Sequence, residues 1–313
     1  MMSVPVMRQF LSRSISSRNR NKLHGILAEI DLRSHLSTLG FGRRISAGGW
    51  IFRSVLPAAY GEYVSVFFPA ILRPYVEYSD LSPLEEPDHG LHSICSTFHQ
   101  IGIHSYYCAP TISEDDDPSS VCWHHIQLGL PTQHSFEVFP RGLTQFAPRP
   151  RQYSFLRHHT DVAALPDVHV PEEFSKEHFR IAFQSEFYSE ASDVDGVLWG
   201  NQHTYPIEIK EKTVAHDPRV GDYFGLDLGP FVKLAFYAAK RGNLHSLFVV
   251  REIDNTISRE LVDWWYITFD ELALYASWTH QGGGTSMGGG RSSVVRIPKA
   301  RFHRLDSEAL QSL

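Results

Sequence analysis

Cysteine is scarce, with three in 313 residues. Three thiols cannot build a disulfide framework, and their use suits a reducing, cytoplasmic setting. Long apolar runs are missing as well. The longest, Val64 to Leu72, is interrupted by Pro69 and falls short of the roughly 20 residues that cross a bilayer. Excess positive charge is also absent. A net charge of −6 excludes a polycation that coats nucleic acid indiscriminately, though charge can still be arranged locally. Acids are lacking before Glu29, while Arg8, Arg13, Arg18, Arg20 and Lys22 fall in the same stretch. That stretch reads as a solvated basic arm, a phosphate-contacting arm or a transit peptide. No internal repeat is visible.

What is present is apolar bulk, 42% of the chain, enough for one large domain or two. Asn21 to Leu39 is predicted as a helix from Leu23, Ile26, Leu27 and Ile30 at helical spacing, with Gly40 to stop it. Phe41 to Ser46 is expected as a strand and Gly48-Gly49 as a turn. Residues 50–180 are rich in aromatics, His and Pro. They hold strand-like runs at Tyr63 to Phe68 and Phe136 to Phe139, and loop-like stretches at Ser79 to Gly90 and Ser113 to Ser120. From 181 the pattern becomes regular. Strands are expected at Ile181 to Glu190, around Asp195 and around Glu208, the last two joined by a tip at Gly200-Asn201-Gln202. A loop of about fifteen residues then leads to a helix with Pro230 near its start and Gly242 past its end. Leu247 to Arg251, Trp264 to Thr268 and Val294 to Pro298 read as strands, Asp270 to Ser277 as a short helix, and Gln281 to Gly290 as a glycine-rich loop.

Chemistry concentrates in Ser192-Asp193-Val194-Asp195-Gly196-Val197-Leu198-Trp199 and Tyr205-Pro206-Ile207-Glu208-Ile209-Lys210. These segments read as two strands of a hairpin. Glu208 and Lys210 are two apart and so share a sheet face. Two carboxylates and a lysine on one face are costly to bury unless a divalent metal and an activated water use them. Asp195 and Glu208 are hard oxygen ligands suited to Mg²⁺, with Mn²⁺ as a substitute and the Ile209 carbonyl as a third ligand. Lys210 can orient or deprotonate a water and offset phosphate charge. A surface hairpin with an i, i+2 ion pair is the plainer reading. Asp193 is the rival of Asp195 for the first ligand.

The Asp-Gly-apolar strand, the twelve residues between Asp195 and Glu208, and the flanks Ile207 and Ile209 resemble the catalytic centre of the PD-(D/E)XK nuclease superfamily. The Asp195-to-Glu208 spacing is similar to that of archaeal Holliday-junction resolvases. Gly25-Ile26-Leu27-Ala28-Glu29, Leu32, Leu36, Leu39-Gly40-Phe41 and Ser46-Ala47-Gly48 resemble the first helix and strand of those resolvases. The resemblance covers about a third of the chain. It implies an α/β, restriction-endonuclease-like core, a central mixed β-sheet flanked by helices with a large inserted lobe. It also brings Glu29 to the metal site, with Glu173 or Glu177 as the fallback, and implies Mg²⁺-dependent hydrolysis of DNA by a defence nuclease such as a type II restriction endonuclease. A homodimer and a cognate methyltransferase are the partners that go with it. The segmentation expected is residues 1–49 as first helix and strand, 50–180 as an inserted recognition lobe, and 181–313 as the rest of the core.

Lys233 falls on the helix after the hairpin and reads as DNA-binding or as a plain surface lysine. Arg149 and Arg151, interleaved with Phe146, Tyr153 and Phe155, suit DNA contact. Cys95, His99, His104, Cys108, Cys122, His124 and His125 raise structural zinc against buried thiols and hydrogen-bonded histidines.

Overall fold

The computed structural model describes residues 1–15, 20–57, 60–79, 87, 89–130, 135–150, 162–282 and 293–313. The chain is a mixed α/β protein. It divides into two compact units, Met1–Arg20 with Ala47–Val194, and Asn21–Ser46 with Asp195–Leu313. The boundaries expected at 49/50 and 180/181 therefore move. Residues 1–20 and 181–194 both join the unit that holds the middle of the chain.

The first unit is built on a seven-stranded sheet. Its strands are β1 (Gly49–Ser54), β2 (Val64–Pro69), β3 (His104–Ile112), β4 (Val121–Leu128), β5 (Glu137–Val138), β6 (Ala147–Pro148) and β7 (Phe187–Val194), in the order β5-β4-β3-β2-β1-β7-β6. β2 and β3 run parallel and are linked through helix α3 (His89–Gln100). Helix α1 (Val4–Ser14) lies along α4 (Val170–Glu186), with Phe10 edge-on to Phe174 at 5.0 Å. Phe174, Phe179 and Phe183 of α4 are fully buried, each contributing about 1.5–3 kcal/mol. Phe179 and Phe183 meet Phe52, Phe67 and Trp123 of the sheet.

Several expectations for this unit change. Ile181 to Glu190 is not a strand throughout, since α4 continues to Glu186 before β7 begins. Gly49 opens β1 rather than a turn. A Cβ there would stand 2.5 Å from the Phe67 carbonyl oxygen, so the close approach of β2 requires glycine. The N-terminal basic stretch is not simply a solvated arm. Arg8 donates to the Leu165 carbonyl at 2.8 Å and to Asp167 at 2.5 Å.

The second unit has a five-stranded sheet in the order β16-β13-β12-β9-β8. These are β8 (Gly196–Trp199), β9 (Thr204–Lys212), β12 (Leu247–Ile253), β13 (Leu261–Thr268) and β16 (His303–Arg304). β9 and β12 are parallel and the remaining neighbours antiparallel. A second sheet, β10-β11-β15-β14, is formed by β10 (Ala215–Asp217), β11 (Gly221–Asp227), β14 (Gln281–Gly282) and β15 (Ser293–Pro298).

Strand alternation sends Ile207, Ile209, Leu247 and Val249 to one face of the five-stranded sheet. There they pack on Ala28, Leu32 and Leu36 of α2 (Arg20–Thr38) and on Leu310 of α7 (Ser307–Ser312). Phe248, Val250 and Ile267 point to the other face. They meet Leu234 of α5 (Leu228–Ala239), Leu272 of α6 (Phe269–Tyr275), and Phe224, Leu226 and Ile297 of the second sheet.

The loop expected after Lys210 is the β10–β11 hairpin. Its turn is set by Asp217, whose carboxylate accepts the Arg219 amide at 2.8 Å, and by Gly221 at φ +76°. The strand expected over Phe41 to Ser46 shrinks to an Ile45↔Leu198 bridge and a Ser46 amide bond to the Val197 carbonyl, behind a 3₁₀ turn at Gly42–Arg44. The loops expected at Ser79 to Gly90 and Gln281 to Gly290 lie largely outside the described residues. Among the described residues no helix is long and apolar enough to cross a membrane.

Candidate active site

The site lies wholly within the second unit and starts from the register of one hairpin. Gly196 pairs with Ile207 and Val197 with Pro206. Asp195 immediately precedes β8, and continuing the register by one step brings it to Glu208, where directly opposed residues share a face. At Asp195 the side chain takes over from the backbone ladder. Its Oδ2 accepts the Ile209 amide at 2.7 Å, which fixes the carboxylate beside Glu208.

Both acids are buried, Asp195 at 5% exposure and Glu208 at 2%. A buried carboxylate needs compensating charge. Lys210 Nζ lies 2.6 Å from Glu208 Oε1, and Lys233 Nζ lies 2.5 Å from Oε2. Lys210 comes from the same strand face as Glu208. Lys233 comes from α5, next to the buried Leu234 that packs this helix on the sheet. Lys233 is therefore engaged with the acid rather than presented as a surface lysine.

Lys212 escaped the sequence reading. Residues 208, 210 and 212 share one face by strand alternation, a signal that was present in the sequence. Burial pulls the Lys212 ammonium below its usual range. Asp227 and Glu208 oppose that shift, and the positive charge of Lys210 adds to it. Lys210 and Lys233 thus hold Glu208, and Lys212 lies within electrostatic reach of Glu208 and Asp227.

Asp193, the rival ligand, is exposed on β7 of the first unit, where it pairs with Trp50. The resemblance placed Glu29 with Asp195 and Glu208. Glu29 is buried on α2, whose Ala28, Leu32 and Leu36 cover the face of Ile207 and Ile209, opposite to that of Glu208. Among the described residues no three His, Cys, Asp or Glu side chains form a group that could hold a metal. Glu173 and Glu177 are buried on α4 of the first unit, paired with Lys176 at 3.3 Å and Arg180 at 2.6 Å.

The same finding bears on the cysteine–histidine set. Cys95 and His99 lie on α3, His104 and Cys108 on β3, and Cys122, His124 and His125 on β4, with no metal-holding group among them. Cys95 and Cys108 are buried and Cys122 is exposed. Burial pushes the Cys95 thiol up to about 12 and the Cys108 thiol well above its ordinary value. Arg149 sits in the first unit with its guanidinium 5.7 Å from the Tyr188 ring. Arg151 lies outside the described residues.

Comparison of the chain with family models, curated proteins and solved structures gives no match.

Proposed function

We propose that the chain is a Mg²⁺-dependent endonuclease of PD-(D/E)XK type that hydrolyses DNA phosphodiester bonds, in the manner of a type II restriction endonuclease or related defence nuclease. One observation carries this reading. Two carboxylates are buried together, Asp195 just before β8 accepting the Ile209 amide next to Glu208 on β9, and Lys210 is in contact with Glu208.

The donor set fits a hard divalent cation. Asp195 and Glu208 are oxygen donors, and their burial side by side is favourable only where positive charge joins them. Asp195, Glu208 and the Ile209 carbonyl would hold Mg²⁺ or Mn²⁺, which when bound polarises a phosphate and lowers the pKa of a water. Lys210 orients that water and offsets charge growing on the phosphate. The sheet keeps Asp195 in place through the Ile209 amide. Arg149 and Arg151 contact the DNA, the first unit supplies base readout, and a homodimer cuts both strands. A cognate methyltransferase would protect the host sequence.

A reading from a different class draws on the two lysines that already hold Glu208. It makes the chain a non-catalytic nucleic-acid-binding or sensor module of nuclease-like fold. A nuclease acting on branched DNA or RNA is the remaining variant. Purified chain incubated with unmethylated phage DNA and Mg²⁺ decides among them. Discrete fragments support the restriction reading, and a smear supports a nonspecific nuclease. Intact phage DNA with cut branched or RNA substrate supports the last variant. Intact nucleic acid of every form overturns catalysis.

A further inference from the structure

We propose that Lys233 is a positioning residue that holds Glu208 in its resting orientation and competes with the divalent cation for it. This inference rests on the metal-dependent reading of the Asp195–Glu208 pair.

Glu208 is 2% exposed, and each of its oxygens faces a different ammonium, Lys210 Nζ at 2.6 Å and Lys233 Nζ at 2.5 Å. One carboxylate carries one negative charge, so two ammoniums overcompensate it locally. Asp195, opposite, redresses the balance while giving an oxygen to the Ile209 amide. Lys212, two residues beyond Lys210 on the same face, lies within electrostatic reach of Glu208, Lys210 and Asp227. A dication entering beside Glu208 meets two ammoniums already seated on its two oxygens, and one of them must yield.

The two lysines are not equivalent. Lys210 is 33% exposed and sits on a strand that ends two residues later, whereas Lys233 is 13% exposed and is carried on α5. Lys210 can swing toward solvent and a phosphate at low cost. Lys233 is anchored by the packing of its neighbour Leu234 against Phe248 and Val250. It therefore fixes which way Oε2 points, and its charge opposes the cation at close range, where little water screens it. Removing that charge without removing volume should make cation binding tighter, while Glu208 loses the partner that orients it.

The test measures Mn²⁺ binding to the full chain by calorimetry, without nucleic acid, in the wild type, Lys233→Met, Lys233→Arg and Asp195→Asn. Lys233→Met should tighten Mn²⁺ binding about tenfold, equivalent to about 1.4 kcal/mol. Lys233→Arg should restore the wild-type affinity, and Asp195→Asn should abolish binding. With DNA present, Lys233→Met should saturate at lower Mn²⁺ yet turn over more slowly at saturation. Unchanged or weaker Mn²⁺ binding in a Lys233→Met chain with wild-type circular dichroism overturns the inference and leaves the nuclease reading standing. Tightened, Asp195-dependent binding without cleavage of any nucleic acid supports the inference and overturns the nuclease reading. A wild type that holds no Mn²⁺ overturns both.

Discussion

Asp195 Oδ2 accepts the Ile209 amide at 2.7 Å, so a carboxylate extends the hydrogen-bond ladder just before strand β8 begins. The acid that would hold a cation therefore also satisfies a buried backbone donor. Two substitutions separate these roles. Asp195→Asn keeps an acceptor oxygen but removes the charge. Asp195→Ala removes both and strands the amide, at a cost of about 1–3 kcal/mol. Both variants should lose Mg²⁺-dependent cleavage, while only Asp195→Ala should lower the urea midpoint appreciably. Cleavage surviving in both variants would sink the metal-site assignment.

Lys210 touches Glu208 from the more exposed side of the site. Its charge is of most use where negative charge grows during reaction. Lys210→Ala should cut turnover by about two to four powers of ten, with DNA affinity changed far less. Single-turnover rates and filter binding on the same variant measure the two effects. Equal losses in both would reduce Lys210 to a phosphate contact.

The hairpin was legible in the sequence because its signals are local. Alternation places Glu208 with Lys210, and Asp-Gly marks where the first strand begins. Helix α2 was legible for the same reason, through Leu23, Ile26 and Ile30. Helix α4 was not. Its buried face mixes Phe174, Phe179 and Phe183 with Glu173, Lys176, Glu177 and His178, and paired buried charge hides an apolar stripe. Phe183, Ser185 and Phe187 also mimic strand alternation across the helix end. The place of Lys233 on Glu208 depends on how α5 crosses the sheet, which is tertiary information. Glu29 was placed by resemblance rather than by any local signal, and the sheet face that α2 covers was beyond the reach of spacing.

His178 makes the first unit sensitive to acid. It is 8% exposed, with Nδ1 accepting from Trp123 Nε1 at 3.0 Å and Nε2 donating to the Pro118 carbonyl at 2.8 Å. Burial lowers its pKa from 6.5 to about 4, against the pull of the Pro118 hydrogen bond. The unfolded chain thus binds a proton that the folded chain refuses between pH 6.5 and about 4. The stability this neutral imidazole contributes is complete above pH 6.5 and is lost as pH falls through that window. The full loss is about 3 kcal/mol. His178→Gln can keep both hydrogen bonds and cannot titrate. Urea midpoints measured at pH 7 and pH 4.5 should fall further in the wild type than in His178→Gln. Equal falls would show that His178 is not a source of the acid sensitivity.

Arg149 and Tyr188 offer the test of the first unit as the part that reads DNA. Phosphate contacts carry no sequence information, so Asp195, Glu208 and Lys210 cannot choose a site by themselves. The Arg149 guanidinium lies 5.7 Å from the ring of Tyr188, which is 55% exposed. The Arg149 amide is tied to the Glu186 carbonyl at 2.8 Å, at the end of α4. An arginine stacked on an aromatic ring and rooted in a helix end loses little freedom on meeting a phosphate or a guanine edge. Its stacking on the exposed Tyr188 ring contributes about 0.5–1 kcal/mol, so Arg149→Ala and Tyr188→Ala should both fold. Each should weaken DNA affinity by about tenfold, the equivalent of about 1.4 kcal/mol. Both should relax site choice while metal-dependent hydrolysis persists at saturating DNA. Arg151→Ala, which alters the same basic stretch, should act in the same direction. Cleavage patterns on a plasmid library, read alongside affinities, give the answer. If all three variants kept wild-type patterns and affinities, recognition would have to come from the second unit, and the first would be better explained as a dimerisation or partner-binding lobe.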